Sequence, residues 1–244
     1  MLDPNLNEDA LWARLATLDS AEMASLIDHP AVKDRHFVKL LQRQDLSQEF
    51  LIKLSKSRWA GSARVQFCLV SHPKTPLVEA MNLVKFLFWR DLNLVIQNFK
   101  LATEVRHLAE STLQQRLPAM AVGEKMTLAR VAAGQVLKVL RLEKDGRVVQ
   151  ALLENSRLVE EDVLYLVSQA RTPAPVLEAV CRDPKWSSRR EVRMALLRNG
   201  KPPLASAVTF VSSLTVTELR ALLNDPKVPL AIRKMVEKKL GKPG

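Results

Sequence analysis

"VRMALLRNGKPPLASAVTFV", residues 192–211, has an upstream echo in "VQFCLVSHPKTPLVEAMNLV", residues 65–84. Sliding the chain along itself by 127 positions brings the two into register without a gap. Val65, Leu69, Lys74, Pro76, Leu77, Ala80, Val84, Leu87, Leu92, Lys100, Arg106, Glu110 and Leu113 then fall on identical residues, and Trp59 falls on Trp186. Most of these matches are apolar. That is the pattern expected when one buried framework is written twice and its exposed positions drift.

Shorter echoes subdivide the long one. "EMASLIDHPAV" (22–32) resembles "ELRALLNDPKV" (218–228), and "LLQRQDLSQEFLIKL" (40–54) resembles "LLENSRLVEEDVLYL" (152–166). The elementary spacing is near 42, within the range of about 40–47 residues found in helical-pair repeats. In "PLASAVTFVSSL" the apolar residues Leu204, Ala207, Val208, Val211 and Leu214 recur at three- and four-residue steps, one face of a helix. "DP" stops the next short helix and "PLAIRKMVEKKL" opens another, with proline in the first turn where no amide partner is lost.

These turn and helix patterns resemble the HEAT-type repeats and the related leucine-rich-variant helical repeats. The resemblance covers most of residues 20–240. It implies an all-α, right-handed α-solenoid of helical pairs, about fifteen helices in all, with an internal duplication at the 127-residue shift. It also implies a structural ladder that pairs a turn acid with an arginine early in the following helix: Asp225 with Arg233 and Asp183 with Arg193. Asn98 stands where Arg106 would have its acid. The expected organisation is a single domain over 1–244. Acidic capping helices cover 1–30, a first repeat block 31–120, a long linking helix 121–145, and a second block with a basic end 146–244.

Composition agrees with a helical reading. Hydrophobic residues make up 47% of the chain and glycines number only seven, which suits helices better than a many-turned sheet. Cys68 and Cys181 are far apart in apolar settings and form no C-x-x-C pair, so free thiols in a reducing, cytoplasmic compartment are expected. The most apolar window, "LVKFLFWRDLNLVIQNF", is broken by Lys85, Arg90 and Asp91, so no membrane insertion is expected. His29, His36, His72 and His107 show no ligand spacing, and neither metal nor cofactor is expected. His29 and His72 each precede a proline, which points to a turn role.

Charge is regional. Net charge is +11 overall, −5 over residues 1–30, zero over 101–180 and +9 over 181–244. A basic C-terminal surface built from Arg189, Arg190, Lys201, Lys234, Lys238 and Lys239, with Lys242 beyond, would attract an acidic protein or another polyanion. Trp59 and Trp186, each beside a base, either stack nucleobases or pack between helical pairs. No catalytic motif is found. The leading expectation is a non-enzymatic protein-interaction scaffold, with a nucleic-acid-binding solenoid gripping the phosphate backbone as the alternative. Trp89 and Asp91 in "FLFWRDL" resemble the pocket of HEAT-like DNA glycosylases and leave that activity as a distant third.

Overall fold

The computed structural model describes residues 3, 6–199 and 201–241. Among them are eighteen α-helices and no strand. The chain divides into two compact units, residues 1–118 and 119–244.

The first unit contains α1 (Glu8–Arg14), α2 (Ser20–Leu26), α3 (Asp34–Leu40), α4 (Gln48–Ser55), α5 (Ala63–Ser71), α6 (Leu77–Val84), α7 (Trp89–Gln97) and α8 (Thr103–Arg116). A 3-10 turn at Arg58–Gly61 precedes α5. Helices two apart in the chain pack side by side, α2 on α4, α4 on α6 and α6 on α8, and likewise α3 on α5 and α5 on α7. Two layers result, with the chain crossing between them at every turn. Starts are marked by side chains that satisfy free amides. Asn7 accepts from Ala10 and Ser47 from Phe50. Asp19 and Glu22 cap α2 reciprocally.

The second unit contains α9 (Val122–Val131), α10 (Gly134–Leu140), α11 (Gly146–Leu153), α12 (Glu160–Ser168), α13 (Ala174–Arg182), α14 (Pro184–Ser187), α15 (Arg190–Asn199), α16 (Leu204–Ser213), α17 (Val216–Asn224) and α18 (Leu230–Lys239). Here α9, α11 and α13 pack in series, α12 lies on α15, and α16 lies on α18. The single long helix expected over 121–145 is instead two helices. They part around Ala132 and Gly134, and Gly134 takes φ of 57°, a conformation that interrupts a right-handed helix. This break and the one-turn α14 account for two of the three helices beyond the expected fifteen. Gly146 has a different reason to be glycine. A Cβ there would sit 2.6 Å from the Pro175 carbonyl oxygen, so α11 and α13 start at backbone contact distance.

Helix starts recur across the units. α5, α6, α7 and α8 begin 127 positions before α15, α16, α17 and α18. Matched apolar residues are buried in both places: Val65 and Val192, Leu69 and Leu196, Ala80 and Ala207, Val84 and Val211, Leu92 and Leu219. Leu69 and Leu196 are each fully buried. Leu69→Ala and Leu196→Ala are each expected to cost about 2–5 kcal/mol, read as a lower denaturant midpoint at unchanged slope.

His36 is fully buried against Trp12, ring centroids 4.9 Å apart, and its Nδ1 accepts from the Lys33 amide at 3.0 Å. Burial holds its pKa below the ordinary 6.5. The Lys33 backbone bond opposes this, Arg35 and Lys33 reinforce it, and Asp34 opposes it. The unfolded chain therefore binds the extra proton first, and stability falls as pH drops from 6.5 through the lowered folded value. His36→Gln keeps an acceptor for Lys33 and is expected to flatten that part of the stability–pH curve, measured by denaturant titration at successive pH values.

Candidate functional site

Side chains at the helix ends tie each turn to an earlier one. In the first unit His72 accepts the Lys74 amide on Nδ1 at 3.2 Å and donates from Nε2 to the Arg43 carbonyl at 2.9 Å. With Nδ1 accepting, the ring hydrogen that meets the Arg43 carbonyl is on Nε2. His29 is bonded in the same way, to the Ala31 amide and the Asp3 carbonyl. The second unit does this with asparagine. Asn155 accepts the Arg157 amide and donates to the Ala129 and Ala132 carbonyls, and Asn199 donates to those of Val167 and Gln169. Asp225 can only accept. It takes the Lys227 amide at 2.9 Å and Arg198 Nε at 2.7 Å, and these two bonds, in that order, lower its pKa.

In the second unit four turns lie in a row, those after α10, α12, α15 and α17; Asn199 ties the third to the second, whereas Asn155 ties the turn after α11 to the one after α9. Lys201 Nζ donates to the Ala170 carbonyl at 3.1 Å, joining the third turn to the second, and Arg198–Asp225 joins the third to the fourth. A groove of about 480 Å³, lined by Ala170, Arg198, Asn199, Lys227 and Pro229, runs between them. A smaller one of about 180 Å³ separates the first two turns, with Lys144, Arg171 and Pro173 among its walls.

Each turn in this row presents a base: Lys144, Arg171, Lys201 and Lys227, all exposed. The acids beside them are already paired, Glu143 with Lys125 at 2.9 Å, Asp145 with Arg147 at 2.8 Å and Asp225 with Arg198. Arg147 holds the Asp145 carboxyl down at about 2. Three helices also start here, α13, α16 and α18, with Pro173, Pro203 and Pro229 at their caps and no side-chain cap bond. Their partly positive ends add to the field of the bases. The edge thus carries four positive charges that no carboxylate among the described residues neutralises.

The expected basic surface is divided. Arg189 pairs with Glu160 at 2.6 Å and lies over the Trp186 ring, and Arg190 bonds to Glu191 and Glu218. Both stand at the start of α15, whereas Lys201 follows its end. Lys239 donates to the Ser212 carbonyl. Lys234 and Lys238 are exposed and have no ion pair among the described residues. Gly200 and Lys242 lie outside the described residues.

Both matched tryptophans pack. Trp186 is buried and donates to the Leu153 carbonyl at 3.1 Å, with Lys185 as well as Arg189 over its ring. Trp59 is half-buried and donates to the Ile27 carbonyl at 2.8 Å, with Arg58 over its ring. Neither geometry leaves a free platform for a nucleobase. In the structural ladder, Arg233 reaches the Asp225 backbone carbonyl at 2.9 Å, not its carboxylate. Asp183 caps α14 through the Trp186 amide, and Arg193 donates to Ser213. Arg106 bonds to Thr103 and lies over the Phe99 ring. Asp91 is half-buried near Cys68, and desolvation raises its pKa against the pull of Arg90. Cys68 and Cys181 are half-buried free thiols, and burial pushes the second up to about 11.

Sequence reasoning passed over Lys144, Arg171 and Lys227. The available signal was that Lys74 and Lys201, and Lys100 and Lys227, are among the few polar identities at the 127 shift and fall in equivalent turns. Among the described residues no group of three or more His, Cys, Asp or Glu side chains could hold a metal ion, and no helix is long and apolar enough to cross a membrane. No family model, curated protein or solved structure matches the chain.

Because asparagine performs the histidine's task in the second unit, His72→Asn is expected to retain most of the stability. His72→Leu leaves the Lys74 amide and the Arg43 carbonyl unmatched and is expected to cost about 1–3 kcal/mol, checked by paired denaturant titrations.

Proposed function

We propose that the chain is a non-enzymatic binding platform whose two units are short runs of HEAT-like helical pairs, of the right-handed α-solenoid kind, descended from one duplicated block. Its second unit recognises an extended acidic segment of a partner protein along the turn edge. The observation that carries this reading is the row of Lys144, Arg171, Lys201 and Lys227, one base per turn, beside acids that are already paired. Recurrence of the Lys201 and Lys227 positions as Lys74 and Lys100 supports it, since surface bases with no task drift more freely than core residues.

Spacing favours a peptide. Packed helices lie about 8–10 Å apart. A polyproline II chain advances about 3.1 Å per residue with about three residues per turn, so carboxylates at every third residue share one face and keep step with successive turns. The bases on Arg189 and Arg190 play no part in this reading, because Glu160, Glu191 and Glu218 already hold them.

The test is titration of a fluorescent oligoglutamate peptide into the wild type and into the quadruple variant Lys144→Glu, Arg171→Glu, Lys201→Glu and Lys227→Glu, with folding checked by circular dichroism. Saturable binding that weakens at least about tenfold in the variant is expected, because reversed charges repel as well as fail to attract. Arg189→Glu with Arg190→Glu should leave the peptide affinity within about twofold. Unchanged affinity in the quadruple variant overturns the proposal. Duplex DNA that binds through the same four residues while the peptide does not would assign the edge to a phosphate backbone instead.

A further inference from the structure

The turn between α6 and α7 differs sharply from its counterpart 127 positions on. Residues 85–90 read Lys-Phe-Leu-Phe-Trp-Arg, and residues 212–217 read Ser-Ser-Leu-Thr-Val-Thr. Only the leucine is common, and it is buried in both, as Leu87 and Leu214. In the second unit the turn serves the fold. Ser213 accepts Arg193 at 2.6 Å, and Thr215 and Glu218 cap α17 reciprocally. In the first unit Phe88 occupies the cap position of α7 and supplies no cap bond. Phe86 is 68% exposed and Phe88 64% exposed. The chain forgoes a capping box here and places two phenyl rings in water, both of which cost stability.

Bases surround the two rings. Lys85 and Arg90 flank them in sequence, with Arg90 over the Trp89 ring at 5.2 Å. Arg116 reaches across to donate to the Lys85 and Leu87 carbonyls. Phe86 also borders a groove shared with Lys56 from the turn after α4. Two acids lie nearby. Glu79 is bonded to Lys56 and Ser55, and Asp91 is half-buried with a raised pKa. The exposed tip is therefore aromatic and cationic.

We infer that this turn docks the first unit on an anionic lipid bilayer surface, with Phe86 and Phe88 entering the headgroup–acyl boundary and Lys85 and Arg90 resting on the lipid phosphates. Exposed rings on a projecting turn suit a soft interface that closes around them, and flanking bases are drawn to anionic lipid. Two copies of the chain meeting here would oppose Lys85 and Arg90 to themselves, which argues against a symmetric dimer through the patch. The contact is peripheral. It requires no spanning helix, and it uses residues separate from the turn edge of the second unit.

Co-sedimentation with vesicles tests it, using phosphatidylcholine alone and phosphatidylcholine with about one quarter phosphatidylserine. The wild type is expected to bind the anionic vesicles and not the neutral ones. Phe86→Ser with Phe88→Thr, which installs the residues of the matched turn, is expected to weaken binding at least about tenfold. Lys85→Ser with Arg90→Thr should abolish the preference for anionic lipid. Lys201→Glu with Lys227→Glu should bind as the wild type does. Failure of the wild type to sediment, equal binding by the phenylalanine variant, or loss of binding in the Lys201 and Lys227 variant each overturns the proposal. The last two results would mean that net charge alone draws the protein to the vesicles.

Discussion

A helix of seven to ten residues does not hold its shape alone in water, since isolated helices below about 12–15 residues are marginal even with favourable composition. Among the described residues every helix is that short or shorter, α14 having four residues, except α8 at fourteen. Stability therefore has to come from what joins one helix to the next. Apolar stripes supply most of it through burial of residues such as Leu69, Leu92, Leu196 and Leu219. The turns supply the rest, through side chains that return to the backbone of an earlier turn. His29, His72, Asn155 and Asn199 each donate to a carbonyl at least 23 residues upstream. Packing sets which faces meet, and these bonds set the order of the turns along an edge.

Given that scheme, the edges are where the chain is free to vary. The bonds behind each turn occupy one or two side chains and leave the others exposed. Lys74, Lys100 and Lys227 occupy such positions, and Lys201 stays exposed while bonded to the Ala170 carbonyl. At the opposite end of α6 and α16 the same freedom is used in two ways, for caps in one unit and for exposed rings in the other. Helices α5–α8 and α15–α18 thus match in start positions and in buried residues and differ in what their turns offer to solution.

The all-helical class was legible because burial leaves a periodic trace. A three- and four-residue apolar rhythm, prolines at helix starts and matched leucines at a fixed shift all follow from residues whose neighbours lie within one or two helices. The candidate site was less legible, because charge does not reveal its partner. Arg189 and Lys201 look alike in sequence, yet one is matched by the Glu160 carboxylate and the other only by the Ala170 carbonyl, which leaves its charge unneutralised. Counting bases over residues 181–244 could not separate them, since each pairing partner lies some thirty positions away. Asp183 and Arg193 show the same limit: the spacing suits a pair, but Asp183 is taken by the start of α14 and Arg193 by Ser213.

The matched tryptophans have an optical consequence. Trp12, Trp59 and Trp89 lie in the first unit, and Trp186 is the sole indole of the second. It is almost fully shielded from water, its ring nitrogen bonded to the end of α11 and its faces near Lys185 and Arg189. A protein that lacks the first three indoles would report on the second unit alone. Its emission would shift to longer wavelength when the residues around α14 part, without any attached dye.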